Sequence, residues 1–133
     1  MFNQILTLEE NFLKTKGIPL SMSEVHTLEA IEKSDGKTMS EVARRLRITQ
    51  GTLTVNINRV TNKGYVYRVQ DEKDRRIYRL KLTDKAIQIL EVHDIFHEQL
   101  IEQLVAKLST EEKDLLVDSL SQVNTYFETL MDK

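Results

Sequence analysis

Residues 38–63, "TMSEVARRLRITQGTLTVNINRVTNK", leave the chain little choice of fold. Thr38 with Glu41 makes a capping box, and the positions that follow put Met39, Val42, Ala43 and Leu46 on one side of a short helix. A second helical pattern starts almost at once, with Leu53, Ile57 and Val60 on one face and Gly64 as its stop. Only "RIT" separates the two patterns, and its Thr49 is a capping residue for the second helix. Two short amphipathic helices this close in sequence bury their apolar faces together by crossing, which is the helix-turn-helix unit.

The second helix is a poor one by composition. Outside its apolar face it carries Gly, Thr and Asn, where a helix selected for stability carries Glu, Lys, Gln and Ala. Gly51, Thr52, Val55, Asn58, Arg59 and Asn62 point away from Leu53, Ile57 and Val60. That face is small, polar and free of acid. It suits the major groove of DNA: Asn pairs bidentately with adenine, the methyls of Thr and Val meet the thymine methyl, and Arg takes guanine or a phosphate. The major-groove candidates are therefore Thr49, Gln50, Thr52, Val55, Asn58 and Arg59.

After Gly64 the pattern turns to strands. "YVYRVQ" and "RIYRLKL" alternate β-branched and aromatic residues with polar ones, and the charged "DEKDR" between them reads as a hairpin turn. A hairpin after a helix-turn-helix is a wing. Arg75 and Arg76 at its tip are candidates for the minor groove, whose narrow A·T stretches attract guanidinium groups. Asp74 is placed to orient Arg76 through a charge-assisted hydrogen bond. Arg68, Lys73 and Arg79 read as phosphate contacts or solvated charges.

The charge distribution agrees. The net charge is −2, yet residues 44–81 alone carry +8, between an N-terminal part at −3 and a C-terminal part at −7. A basic centre between acidic flanks fits a polyanion-facing module on a scaffold that does not bind. A merely solvated face is the plainer alternative.

The remaining segments read as helices. Residues 2–14 form a short one with Phe2, Ile5, Leu6 and Phe12 apolar, broken by "KGIP". Ser21 and Glu24 cap a second that carries Val25, Leu28 and Ile31. Thr83 opens a long helix to about Leu108, and Ser109 with Glu112 caps a last one to about Met131. The last helix sets Leu116, Leu120, Val123, Phe127 and Leu130 on one stripe. So small a chain offers that stripe little to cover, so a second copy is the expected partner. The expected organisation is one domain over 1–133, mainly α with a small β-hairpin: a DNA-binding lobe at 21–83, and a helical dimerisation region at 1–20 and 84–133.

Several classes are excluded or disfavoured. The chain has no cysteine, which removes disulfides and thiol chemistry, and no apolar run long enough to span a membrane. The acidic N-terminal stretch does not read as a signal peptide, so a cytoplasmic location is expected. No phosphate-binding glycine loop, nucleophile elbow or zinc-protease motif is present, and no catalysis is expected. A winged-helix adaptor that binds protein through its basic face is the alternative without sequence-specific DNA binding.

"TMSEVARRL", "ITQGTLTVNINRVTNKGYVYRV" and "DEKDRRIYRLKLT" together resemble the MarR family of winged-helix transcriptional regulators, with Asp74, Arg76, Leu82 and Thr83 matching its wing signature. The resemblance spans nearly the whole chain. It implies a homodimer on a pseudo-palindromic operator and an effector that changes the spacing of the recognition helices. The first helix is short for the family, and Ala86 stands where many members have Gly. Within the family, "VHTLEAI", the helix-and-wing segment and "HDIFH" look most like repressors of fatty-acid biosynthesis. That likeness implies an acyl chain on acyl carrier protein as co-repressor.

The chain has three histidines, His26, His93 and His97. His93 and His97 share a helical face at a spacing common in zinc sites, and zinc-uptake repressors of the same family use histidines at similar places. Glu24, Glu29 and Glu41 are carboxylates within reach by sequence, and nothing in the sequence selects among them. No metal or cofactor is required by this reading; zinc on His26, His93 and His97 is its alternative. The effector pocket expected instead is lined by His26, Leu28, His93, Phe96 and His97, with Ile31, Val92 and Leu100 nearby.

Overall fold

A computed structural model describes residues 2–131, with the side chains of Phe2, Asn3, Ile5 and Leu6 outside the described set. The order is α1 (Phe2–Thr15), α2 (Met22–Lys33), α3 (Met39–Leu46), α4 (Gln50–Asn62), β1 (Val66–Gln70), β2 (Tyr78–Leu82), α5 (Asp84–Val105) and α6 (Thr110–Met131). The expected apolar set of α1 is described at Phe12, half-buried; Phe2, Ile5 and Leu6 lie outside the described side chains.

Local chemistry sets the boundaries. Ser21 and Glu24 bond reciprocally as a capping box at the start of α2. Thr38 caps α3 and Thr49 caps α4, each hydroxyl accepting from the backbone N–H three residues on. The turn between α3 and α4 is made by Arg47 in the left-handed region, at φ 58°. Its N–H closes on the carbonyls of Ala43 and Arg44, so the chain reverses without a glycine.

The core is continuous from α1 to the first half of α5. Val25, Leu28, Ile31, Val42, Leu53, Ile57, Val60 and Leu80 are fully inaccessible, and Met39 and Leu46 of α3 pack half-buried at its margin. The strands pair antiparallel, Val66 opposite Leu82 and Gln70 opposite Tyr78, burying Val66 and Leu80. The wing is anchored to the helices at its base. Leu80 N–H donates to the Lys37 carbonyl at 2.8 Å, and the Arg79 guanidinium donates to the Gly36 carbonyl. Gly36 in turn gives its N–H to Glu41 at 2.8 Å.

Thr83 joins three elements. Its hydroxyl bonds the carbonyls of Gly64 and Tyr65 at 2.9 and 3.2 Å, and its oxygen accepts from Ala86 N–H in the first turn of α5. Beside it, the Lys85 ammonium donates to the carbonyl of Lys63 at the end of α4 and lies 4.4 Å from the centre of the Tyr65 ring.

The chain divides after Phe96 into two compact units. The first unit takes in α1 and the first half of α5 with the elements between them. The reason is burial: Ala86, Ile89, Leu90 and His93 belong to its interior. The second unit holds the end of α5 and α6. No residue of α6 is buried, and Leu116, Leu120, Val123, Phe127 and Leu130 are all exposed. No described helix is long and apolar enough to cross a membrane.

Candidate nucleic-acid interface

The buried side of α4 is Leu53, Ile57 and Val60, which fixes the direction of its other face. Gln50, Gly51, Thr52, Val55, Asn58 and Arg59 are exposed there, Val55 by 50% despite its apolar side chain. Thr49 is also exposed, but its oxygen is engaged in capping, and its hydroxyl bonds that of Thr52 at 3.0 Å. Among the described residues, the side chains on this face left free to bond are those of Gln50, Asn58, Arg59 and Asn62. Glycine is tolerated at position 51 because Thr49 supplies the cap, and a side chain there would meet only the Thr49 hydroxyl at 3.9 Å. The face is open and uncharged except at Arg59.

The wing presents a single oriented cation. Arg76 is 91% exposed, yet its guanidinium bonds both oxygens of Asp74, at 3.1 and 3.2 Å. The Arg76 N–H donates to the same carboxylate at 3.1 Å. The Arg76 side chain, and then its backbone N–H, hold the Asp74 carboxyl below its ordinary range. Asp74 is itself fixed, because its N–H donates to Asp71 at 3.0 Å. A long side chain in open solvent is thus aimed without a packed neighbour. Arg75 is exposed next to it and contributes its carbonyl to Gln70. Arg79 is not available: it is committed to Gly36 and lies 3.9 Å from Asp71.

The far end of α4 is fixed too. Lys63, its C-cap, puts its ammonium 2.8 and 3.0 Å from the two oxygens of Glu24 and 3.2 Å from the Pro19 carbonyl. Burial alone raises the Glu24 carboxyl, but the bonds from Lys63 and Ser21 outweigh it and leave it below its ordinary value. Sequence reading sees Glu24 as a cap and a possible metal ligand and misses this pair; no local pattern links residues so distant along the chain.

The expected effector residues are partly brought together. His26 and His93 face each other edge-on with ring centres 6.4 Å apart, and Phe96 stacks on Phe12 at 4.5 Å. His93 is buried, and its Nδ1 lies 3.6 Å from Glu29. Leu28 is wholly inside the core rather than on a cavity wall, and His97 belongs to the second unit. Among the described residues the carboxylate that joins His26 and His93 is Glu9: one atom from each lies within 4.8 Å of the others. Of the carboxylates weighed from sequence, Glu24 and Glu41 are engaged elsewhere, while Glu29 is shared between Lys33 and His93. Glu24 holds Lys63, Glu41 holds Gly36, and Glu29 holds Lys33 at 2.8 Å. Glu9 is marked in the sequence by its place one helical turn before Leu13, on the side of α1 that is buried.

Comparison with known proteins agrees with this geometry. A sequence model described as the MarR family matches residues 16–77. The crystal structure of Streptococcus pneumoniae FabT in complex with DNA is 34% identical, with a TM-score of 0.88 over 97% of this chain and 91% of that one. The transcriptional regulator SarZ of Staphylococcus haemolyticus is 33% identical over 94 residues, 71% of this chain and 63% of SarZ. AdcR of Streptococcus pneumoniae is 30% identical over 105 residues, 77% of this chain and 71% of AdcR. The chain thus spans under two thirds of SarZ but most of FabT and AdcR. On that likeness, carried by the helix-turn-helix, the wing and the helices around them, the chain belongs to the MarR family of winged-helix proteins.

Proposed function

We propose that the protein is a sequence-specific DNA-binding transcriptional regulator, a homodimer that lays α4 into the major groove and Arg76 of the wing into the minor groove. The observation that carries this reading is the pairing of an acid-free, open face on α4 with an exposed guanidinium held by Asp74. Neither stabilises the fold, and both suit base edges. Dimerisation is supported by the exposed apolar stripe of α6, which a second copy covers. The likeness to a FabT solved on DNA supports the finer reading: a repressor of fatty-acid synthesis genes, with acylated acyl carrier protein as co-repressor.

A second effector reading rests on Glu9, His26 and His93. An oxygen and two imidazole nitrogens are a donor set for zinc, with a further position left for water or another ligand.

One titration separates the readings. Gel shifts on the DNA upstream of the protein's own gene and on a scrambled duplex are run alone, with zinc, and with long-chain acyl carrier protein. A regulator prefers its site by about a thousandfold or more. Enhancement by the acylated carrier supports the lipid branch, and enhancement by zinc that His93→Ala abolishes supports the metal. Arg76→Ala weakens binding if the wing assignment is right. Genome-wide site selection covers an operator elsewhere; equal affinity for all duplexes there supports the adaptor instead.

A further inference from the structure

A cavity of about 360 Å³ beside His26 adjoins the effector cluster, and a recess beside Lys85 offers only surface lysines as its charged groups. The cleft between the start of α3 and the wing, with the first residue of α4 at its edge, carries more. About 530 Å³ in volume, it is bounded by the first turn of α3 at Ser40, the first turn of α4 at Gln50, and Arg68, Arg76, Ile77 and Tyr78 of the wing.

The cleft's place follows from the reading above, on which this inference rests. The major and minor grooves of a duplex are separated by one sugar–phosphate strand. If α4 lies in the one and Arg76 in the other, that strand passes between them, across this cleft. Its chemistry is matched to such an occupant. Arg68 is exposed on β1 and, among the described residues, makes no ion pair. Tyr78, 48% exposed on β2, lines the same cleft and carries a neutral hydroxyl donor. Ser40 and Gln50 add neutral donors at two helix starts, where backbone N–H groups favour an anion. Ile77 and Met39 are apolar surfaces suited to a deoxyribose. Glu41 also lines the cleft, but its carboxylate is turned to the Gly36 N–H at 2.8 Å and the Ser34 hydroxyl at 3.4 Å.

We infer that this cleft seats a backbone phosphodiester of the bound duplex, with Arg68 and Tyr78 as its phosphate contacts. These residues position the strand and read no base. Arg76 crosses the strand and Arg68 grips it, so the two arginines divide the work of the wing.

The test is the salt dependence of binding, measured with the full-length protein on its operator and on a random duplex. Removing one cation from a phosphate lowers the slope of log K against log salt by about 0.9. Arg68→Ala therefore reduces the slope by about 2 for a symmetric dimer and weakens binding to both duplexes by the same factor, on the order of tenfold or more. Arg68→Lys restores the slope. Tyr78→Phe weakens both duplexes slightly and leaves the slope alone, since it removes a neutral donor. An unchanged slope in Arg68→Ala overturns the assignment. So does a loss confined to the operator, which would make Arg68 a base reader. A wild-type protein without sequence preference defeats the proposed function, while the slope on random DNA still decides the cleft.

Discussion

Replacing Glu24 by Gln tests how the C-terminal end of α4 is held. The carboxylate receives the Lys63 ammonium, the Ser21 N–H at 3.2 Å and the Ser21 hydroxyl at 3.1 Å, and its side chain is only 8% exposed. Gln keeps the shape and one acceptor, so the cap partly survives. Its amide nitrogen cannot accept from Lys63. Lys63 is 39% exposed, so water recovers part of its solvation. The cost lies between that of a surface pair, about 0–1 kcal/mol, and a fully buried one, about 3–5 kcal/mol. About 2 kcal/mol is expected, or a fall of about 6 °C in Tm for a chain of this length. Thermal unfolding at one fixed protein concentration measures it, so that any self-association enters both measurements equally. Lys63→Met completes a double-mutant cycle, and a coupling of about 1 kcal/mol or more is expected. The pH dependence follows from the lowered carboxyl. The advantage over Gln is complete above the unfolded value near 4.5 and fades as pH falls through the lower folded value. A coupling near zero, or a Gln variant as stable as wild type at neutral pH, refutes the reasoning.

Three further outcomes are expected. Asn58→Ala relaxes sequence preference at one base pair by about 1–3 kcal/mol if it pairs with adenine, and Val55→Ala by less; site selection on randomised duplexes reads both. Gly36→Ala drives a Cβ into the Glu41 carboxylate, which must then leave the Gly36 N–H. Losing that bond costs about 1–3 kcal/mol, visible in denaturant unfolding, and faster amide exchange at the base of the wing is its local sign. Phe127→Glu puts a charge in the exposed stripe of α6 and shifts sedimentation toward monomer; an unaltered dimer would mean that the stripe is not the interface.

Much of the fold is legible in the chain because its signals are local. Thr38, Thr49 and Ser109 each declare a helix start within three residues, and the structure places starts at Met39, Gln50 and Thr110. The hairpin is equally plain, since alternation and a charged turn need no distant partner. The Asp74–Arg76 pair belongs with these, two residues apart. What sequence reading misses is nonlocal. Lys63 meets Glu24 and Arg79 meets Gly36 across folds of the chain that no periodicity encodes. Glu9 escapes notice because acids are expected on the wet side of a helix. The division at Phe96 is hidden because α5 looks like one uniform element, although its first half is buried in a core and its end is not.

Thr83 sets a mechanical limit on control. One hydroxyl fastens the start of the wing to its end, and the same oxygen begins α5, while Lys85 grips the last turn of α4. These parts are riveted to one another within a few ångströms. A displacement of the first turn of α5 is passed to the base of the wing and to the end of α4 through these bonds. The start and end of the wing, the last turn of α4 and the first turn of α5 therefore share one small knot of polar contacts, and a substitution at Thr83 loosens all of them together.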